Sequence, residues 1–197
     1  MTNSDKIIEF AKNNGGYILS KQVKDLGMDS MTLTRLVKKN KLERVSSGYY
    51  VLKDELSDDY YKYQLKANNC VFSYNTALFL HDLSDRTPLY FDLTVIKGYN
   101  GNLISDNNIN LHYVDKDVLD LGVMTIKSPF GMDIKVYDIE RTICDIIKSK
   151  NKMDIEVFSN ALKKYANSKN KDLNKLMKYA KILKIEKKVR EYMEVLL

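Results

Sequence analysis

Glycine punctuation in the first quarter of the chain is its strongest constraint. Gly15-Gly16, Gly27 and Gly48 each follow a short stretch whose apolar residues repeat at helical or strand spacing. Ser4 is expected to cap a helix with Ile7, Ile8 and Ala11 inside, stopped by Gly15-Gly16. Tyr17 to Leu19 reads as a short extended or turn piece. Ser20 then caps a second helix holding Val23 and Leu26 inside, with Gly27 as its left-handed stop. Asp29 or Ser30 caps a third, with Leu33, Leu36 and Val37 facing in. Leu42 to Val45 and Tyr49 to Leu52 are expected to pair as strands across a Ser46-Ser47-Gly48 turn.

Helix, helix, turn, helix, hairpin is the order of a winged helix-turn-helix. The chemistry suits that shape. The outer side of the third helix is expected to carry Thr32, Arg35 and Lys39, flanked by Thr34, Lys38 and Lys41. Hydroxyls and cations of this kind meet base edges and phosphates in a major groove. Arg44, Ser46 and Ser47 sit at the hairpin, where a tip can reach the backbone or a minor groove. Lys21 and Gln22 open the second helix, where exposed amides and a cation suit a phosphate.

Charge divides the chain in the same places. Residues 1–53 carry a net +5, residues 54–136 a net −5 and residues 137–197 a net +6. Basic ends point to a polyanion at one or both of them. The run Asp54 to Asp59 reads as a linker or domain edge, so residues 1–53 and 57–197 are expected as two domains. No run of about 18 apolar residues occurs, and the polar N-terminus reads as no signal peptide. Cys70 and Cys144 are isolated, which suits a reducing cytoplasm better than a disulfide scaffold.

Beyond the acidic run, helices are expected from Asp58 to Asn68 and after Ser73. Strands are expected at Phe91 to Lys97, Ile109 to Val114, Gly122 to Ser128 and Met132 to Val136. Four amphipathic helices follow, the first capped by Asp138 and the third by Asp172. The fold class is therefore α+β: an N-terminal winged helix-turn-helix, then a larger α+β domain with a small sheet and C-terminal helices.

No phosphate-binding glycine loop occurs, and two histidines with two isolated cysteines do not make a zinc site. Asp92 and the Asp133-Ile134-Lys135 run, if on adjacent strands, could hold Mg²⁺ as in metal-dependent nucleases. Charge alternates along any half-exposed strand, and Asp-x-Lys is short, so that is the preferred explanation of them. Arg141 and Asp145, spaced i,i+4, read as a helix-face ion pair. No catalytic residue, metal or cofactor is assigned.

Three ordered blocks resemble the AbiEi family, the antitoxins of AbiE abortive-infection systems. They are Leu36 to Tyr50, Phe72 to Pro88 with its Thr-Ala-Leu and Leu-Ser-Asp-Arg runs, and Asp138 to Ile147 with Glu-Arg-Thr-Ile-Cys-Asp. The resemblance implies a cytoplasmic autorepressor that binds inverted repeats in its own promoter. It also implies a C-terminal domain that counters a nucleotidyltransferase-like toxin without a stable complex. A solution monomer binding the repeats in several copies fits that picture. The alternatives from the residues are a Mg²⁺-dependent DNA-targeted nuclease and a plain regulator with a sensing domain.

Overall fold

The computed structural model describes residues 2–53, 58–67, 69–101 and 103–197, with only the backbone of Ser46. The chain forms two compact units, Met1–Asn68 with Lys127–Ile134, and Asn69–Ile126 with Lys135–Leu197. Four residues of the acidic run, 54–57, lie outside the described residues.

The first unit runs α1 (Asn3–Asn13), β1 (Tyr17–Leu19), α2 (Ser20–Asp25), α3 (Met31–Lys38), β2 (Leu42–Ser46), β3 (Tyr49–Leu52) and α4 (Asp59–Lys66). Thr2 rather than Ser4 caps α1. Its hydroxyl accepts from Asp5 N at 3.2 Å, and Thr2 N donates to the Asp5 carboxylate at 2.8 Å. Thr-x-x-Asp closes a reciprocal cap, which leaves Ser4 inside the first turn. Tyr17 to Leu19 is a strand, because β3 offers it a second edge and gives the order β1-β3-β2. Both pairings are antiparallel, and β2 is bulged between Arg44 and Ser46. Ile7, Ala11, Ile18, Val23, Leu33, Leu36, Leu42, Tyr50 and Leu52 form one core. Leu26, expected inside, is exposed, since α2 ends at Asp25 and Leu26 falls in the turn after it.

The segment Lys127–Ile134 completes this unit. Asp58 caps α4 by accepting from Tyr61 N at 3.2 Å, and the Ser128 hydroxyl donates to its other oxygen. Tyr17 donates its hydroxyl to the Asp58 carbonyl and meets Tyr61 edge-on at 5.3 Å. Gly15 has φ +66°, and a Cβ there would stand 3.2 Å from the Met132 side chain. Glycine therefore serves both the turn and the close approach.

The second unit holds β4 (Val71–Phe72), α5 (Tyr74–Leu80), β5 (Phe91–Ile96), β6 (Ile109–Val114) and α6 (Lys116–Leu119), with β7 (Val123–Lys127) up to Ile126 and β8 (Asp133–Tyr137) from Lys135 on. The helices α7 (Ile139–Lys148), α8 (Ile155–Asn167), α9 (Leu173–Ile182) and α10 (Glu186–Leu196) follow. The sheet order is β6-β5-β4-β8-β7. The two-residue β4, too short to show alternation, pairs antiparallel with β5 and parallel with β8. β5 and β6 are parallel, so the chain between them crosses over instead of closing a hairpin.

α7 is the centre of this unit. Every residue from Glu140 to Ile147 is buried, and Ile143, Ile146 and Ile147 pack with Leu78, Phe158, Leu176 and Val189. Its first turn is tied to α9 by charge. Lys175 Nζ reaches Asp138 at 3.0 Å and Glu140 at 3.2 Å, and the Tyr179 hydroxyl donates to Asp138 at 3.0 Å. Burial pulls the Lys175 ammonium down, but the hydrogen bonds and charges of Asp138 and Glu140 outweigh it and hold its pKa above the usual value. Gly122, at φ +79°, lies where a Cβ would come within 2.7 Å of Arg141 Cβ.

Candidate nucleic-acid interface

Three segments of the first unit carry the residues singled out in the sequence. α3 is an eight-residue helix with Thr32, Leu33 and Leu36 turned inward. Thr32 does not belong to the outer face. It precedes Leu36 by four residues, shares that side of the helix, and is 7% exposed. Thr34, Arg35 and Lys38 are exposed, and Lys39 and Lys41 follow them outside. Met31, 60% exposed, opens the same stripe at i, i+3, i+4, i+7 with Thr34, Arg35 and Lys38. The same spacing arithmetic applied to the sequence picks out Met31. Asp29 accepts from Met31 N at 2.9 Å and so fixes the start of the helix.

At the start of α2, Lys21 is exposed. Gln22 turns back instead, its side-chain oxygen accepting from Leu19 N at 2.8 Å. That bond satisfies a helix-start donor and takes Gln22 away from a ligand. Ser20 N donates to Gly48 O at 2.8 Å, which holds the β2–β3 turn against the start of α2. Ser47 in that turn and Arg44 on β2 are exposed; the Ser46 side chain lies outside the described residues. At the far end of α3, Asn40 takes φ +59° and accepts from Lys53 Nζ at 2.8 Å. The helix end is thereby pinned to the residue after β3.

The candidate Mg²⁺ residues do not converge. β4 lies between β5 and β8 in the sheet order, so the strands of Asp92 and Asp133 are not adjacent. Asp133 is exposed and pairs with Lys127 at 2.8 Å. Asp92 is buried and accepts from Asn75 at 3.1 Å, with His112 Nε2 at 2.7 Å from its other oxygen. Among the described residues no group of three or more His, Cys, Asp or Glu could hold a metal ion. Arg141 and Asp145 do pair, at 3.1 Å and i,i+4 on α7 as expected, but the helix face that carries them is buried. Nη1 of that guanidinium donates to the carbonyls of both Val118 and Leu121, each at 2.7 Å. His81 is a helix-end group, its Nε2 2.7 Å from Tyr137 O.

An exposed cationic helix thus stands beside a braced hairpin turn. This stretch, residues 5–53, matches the AbiEi_4 family, described as "Transcriptional regulator, AbiEi antitoxin". The resemblance read from the sequence is borne out over that stretch; its first block lies inside the match and the other two lie outside it. No curated protein matches the chain. Among solved structures it is similar to the RV2827C protein from Mycobacterium tuberculosis, with a TM-score of 0.54 and 8% identity. The match covers 98% of this chain and 81% of that one, and at this identity it is a likeness of fold. No helix among the described residues is long and apolar enough to cross a membrane.

Proposed function

We propose that the protein is a DNA-binding antitoxin that represses its own promoter. In this reading the first unit is a winged helix-turn-helix, α3 is its recognition helix and the β2–β3 hairpin is its wing. Met31, Thr34 and Arg35 read bases, while Lys21, Lys38, Lys39, Lys41, Arg44 and Ser47 hold phosphates. The promoter carries inverted repeats, each bound by one copy of a monomeric protein. The second unit counters a nucleotidyltransferase-like toxin in the cytoplasm, without a stable complex. The supporting observation is the outward stripe of Met31, Thr34, Arg35 and Lys38 inside the stretch matched by a regulator family.

The test is a binding titration on the chain's own promoter fragment with base-substituted variants. Arg35→Ala is expected to lose about 1–3 kcal/mol, concentrated at one base pair. Lys38→Ala is expected to weaken all sequences alike and reduce the salt slope by roughly 0.9. Unchanged affinity and base preference in Arg35→Ala removes that residue from readout.

A further inference from the structure

The second unit contains a cleft of about 760 Å³ between the start of α5, strands β5 and β6, and the end of α7. That volume lies in the range of about 300–1,000 Å³ typical of small-ligand sites. Its floor is polar and nearly closed to solvent, with Asp92, Arg141 and Asp145 2%, 0% and 4% exposed.

Each acid in the cleft already has its partner. Asp92 is held by Asn75 and His112, Asp145 by Arg141, and Asp115 on the rim by Lys97 at 2.8 Å. The charge left over is positive. Lys148 and Lys152 line the rim, are exposed, and have no ion pair among the described residues. Arg141 Nη2 has no hydrogen-bond partner, although its guanidinium lies 4.1 Å from the Tyr137 ring centroid. Two exposed ammonium groups, one at the end of α7 and one in the short 3-10 turn that follows it, suit a doubly charged phosphate.

One wall of the cleft is aromatic. Tyr74 opens α5 at φ +44°, a backbone region that bulky residues avoid and that is retained where the surroundings impose it. From there its ring stacks on His112, with centroids 3.8 Å apart and planes 24° apart. Both rings are half-buried and line the cleft, so the pair is braced and still offers surface to a planar ligand. Asn110, level with Asp92 across the β5–β6 pair, adds an exposed amide that can both donate and accept.

The geometry points to a binding site for a nucleoside 5′-phosphate. The base lies on the Tyr74–His112 pair, Asn110 meets its edge, and the phosphate sits at Lys148 and Lys152. The site uses nothing from α3 or the hairpin, so it stands or falls apart from the DNA reading.

The chain has only two histidines, which makes the test direct. Full-length protein is titrated with AMP and GMP while the imidazole ring signals are followed by proton–carbon NMR. The His112 signals are expected to shift saturably and the His81 signals to stay. Adenosine and inorganic phosphate, each half of the ligand, are expected to bind roughly tenfold or more weakly than AMP. Lys148→Ala/Lys152→Ala, with an unchanged circular-dichroism spectrum, is expected to weaken AMP by a similar factor. Arg35→Ala is expected to bind AMP as the wild type does. Absence of a His112 shift at millimolar nucleotide overturns the proposal. Phosphate binding as tightly as AMP removes the aromatic half of the site. Binding unchanged in the double lysine variant places the phosphate elsewhere and also overturns the assignment.

Discussion

Asp58 shows what one side chain does when its hydrogen bonds and its burial disagree. It caps α4 and accepts from Ser128, both of which favour the carboxylate, yet burial is larger and raises its pKa above the ordinary 3.8. A raised native pKa means that the folded state prefers the proton. The stabilisation is fully present below the unfolded value and is lost as pH rises through the native value. Asp58→Asn keeps a capping oxygen without the charge, so its melting temperature should match or exceed wild type at pH 7. Its stability should also decline less than wild type between about pH 4 and neutrality. Asp58→Ala should cost about 1 kcal/mol for the cap alone, and it leaves the Ser128 hydroxyl without its acceptor. A wild-type pH profile no steeper than that of Asp58→Asn contradicts this account. The cysteines give a second residue-scale expectation. Both are buried, and burial, aided by neighbouring Asp145, pushes the Cys144 thiol up to about 12. A thiolate is the reacting species, so neither sulfur should react with a disulfide reagent at pH 8 until the protein unfolds. Rapid labelling of the native protein would refute that.

At the scale of elements, short helices expose the weak point of reading a face from sequence. The caps at Asp138 and Asp172 were legible because the carboxylate of each accepts from the backbone N–H three residues on, at 2.8 and 2.9 Å. The face of α3 was legible except for its phase. Thr32 looked available because threonine is polar, but its position follows Leu36, four residues later, and not its chemistry. Thr32→Val should therefore leave operator affinity unchanged, whereas Met31→Ala and Thr34→Ala should each alter affinity or base preference. Fluorescence anisotropy on the promoter fragment checks both, and a strong loss in Thr32→Val returns that residue to the interface. Strands are missed, or left open between extended chain and turn, where pairing and not pattern makes them. Val71-Phe72 is a strand only because β5 and β8 flank it, and Tyr17–Leu19 only because β3 has a second edge. The metal reading failed for the same reason: alternation places Asp92 and Asp133 on strands, but strand order is invisible in either segment alone. The cleft was equally hidden. His112, Asp92, Tyr74 and Lys148 come from separate elements, and only the parallel β5–β6 pairing and the burial of α7 bring them together.

For the whole molecule, the division of labour depends on where the chain is cut. The acidic run suggested a boundary between residues 53 and 57, yet the first compact unit also takes in α4 and the distant segment Lys127–Ile134. Residues 1–53 alone lack the Asp58 carbonyl that accepts from buried Tyr17, the Tyr61 ring beside it and the Met132 side chain over Gly15. A domain of about fifty residues is marginal even when complete. Residues 1–53 should therefore melt below residues 1–68, and 1–68 below the same unit in the full chain. The complementary piece, residues 57–197, keeps the buried α7 and the packing of α7 with α8, α9 and α10, which is enough for a separate core. It retains Asp58 and Ser128 together, so α4 keeps its cap, but it has no α3. If repression resides in the first unit and neutralisation in the second, this piece should rescue growth when the partner toxin is induced. It should at the same time leave a promoter reporter fully active. Rescue with repression would place DNA contacts on the lysine-rich C-terminal helices. A soluble, folded 57–197 fragment that fails to rescue would show that neutralisation needs the DNA-binding half, and the two-part assignment would be wrong.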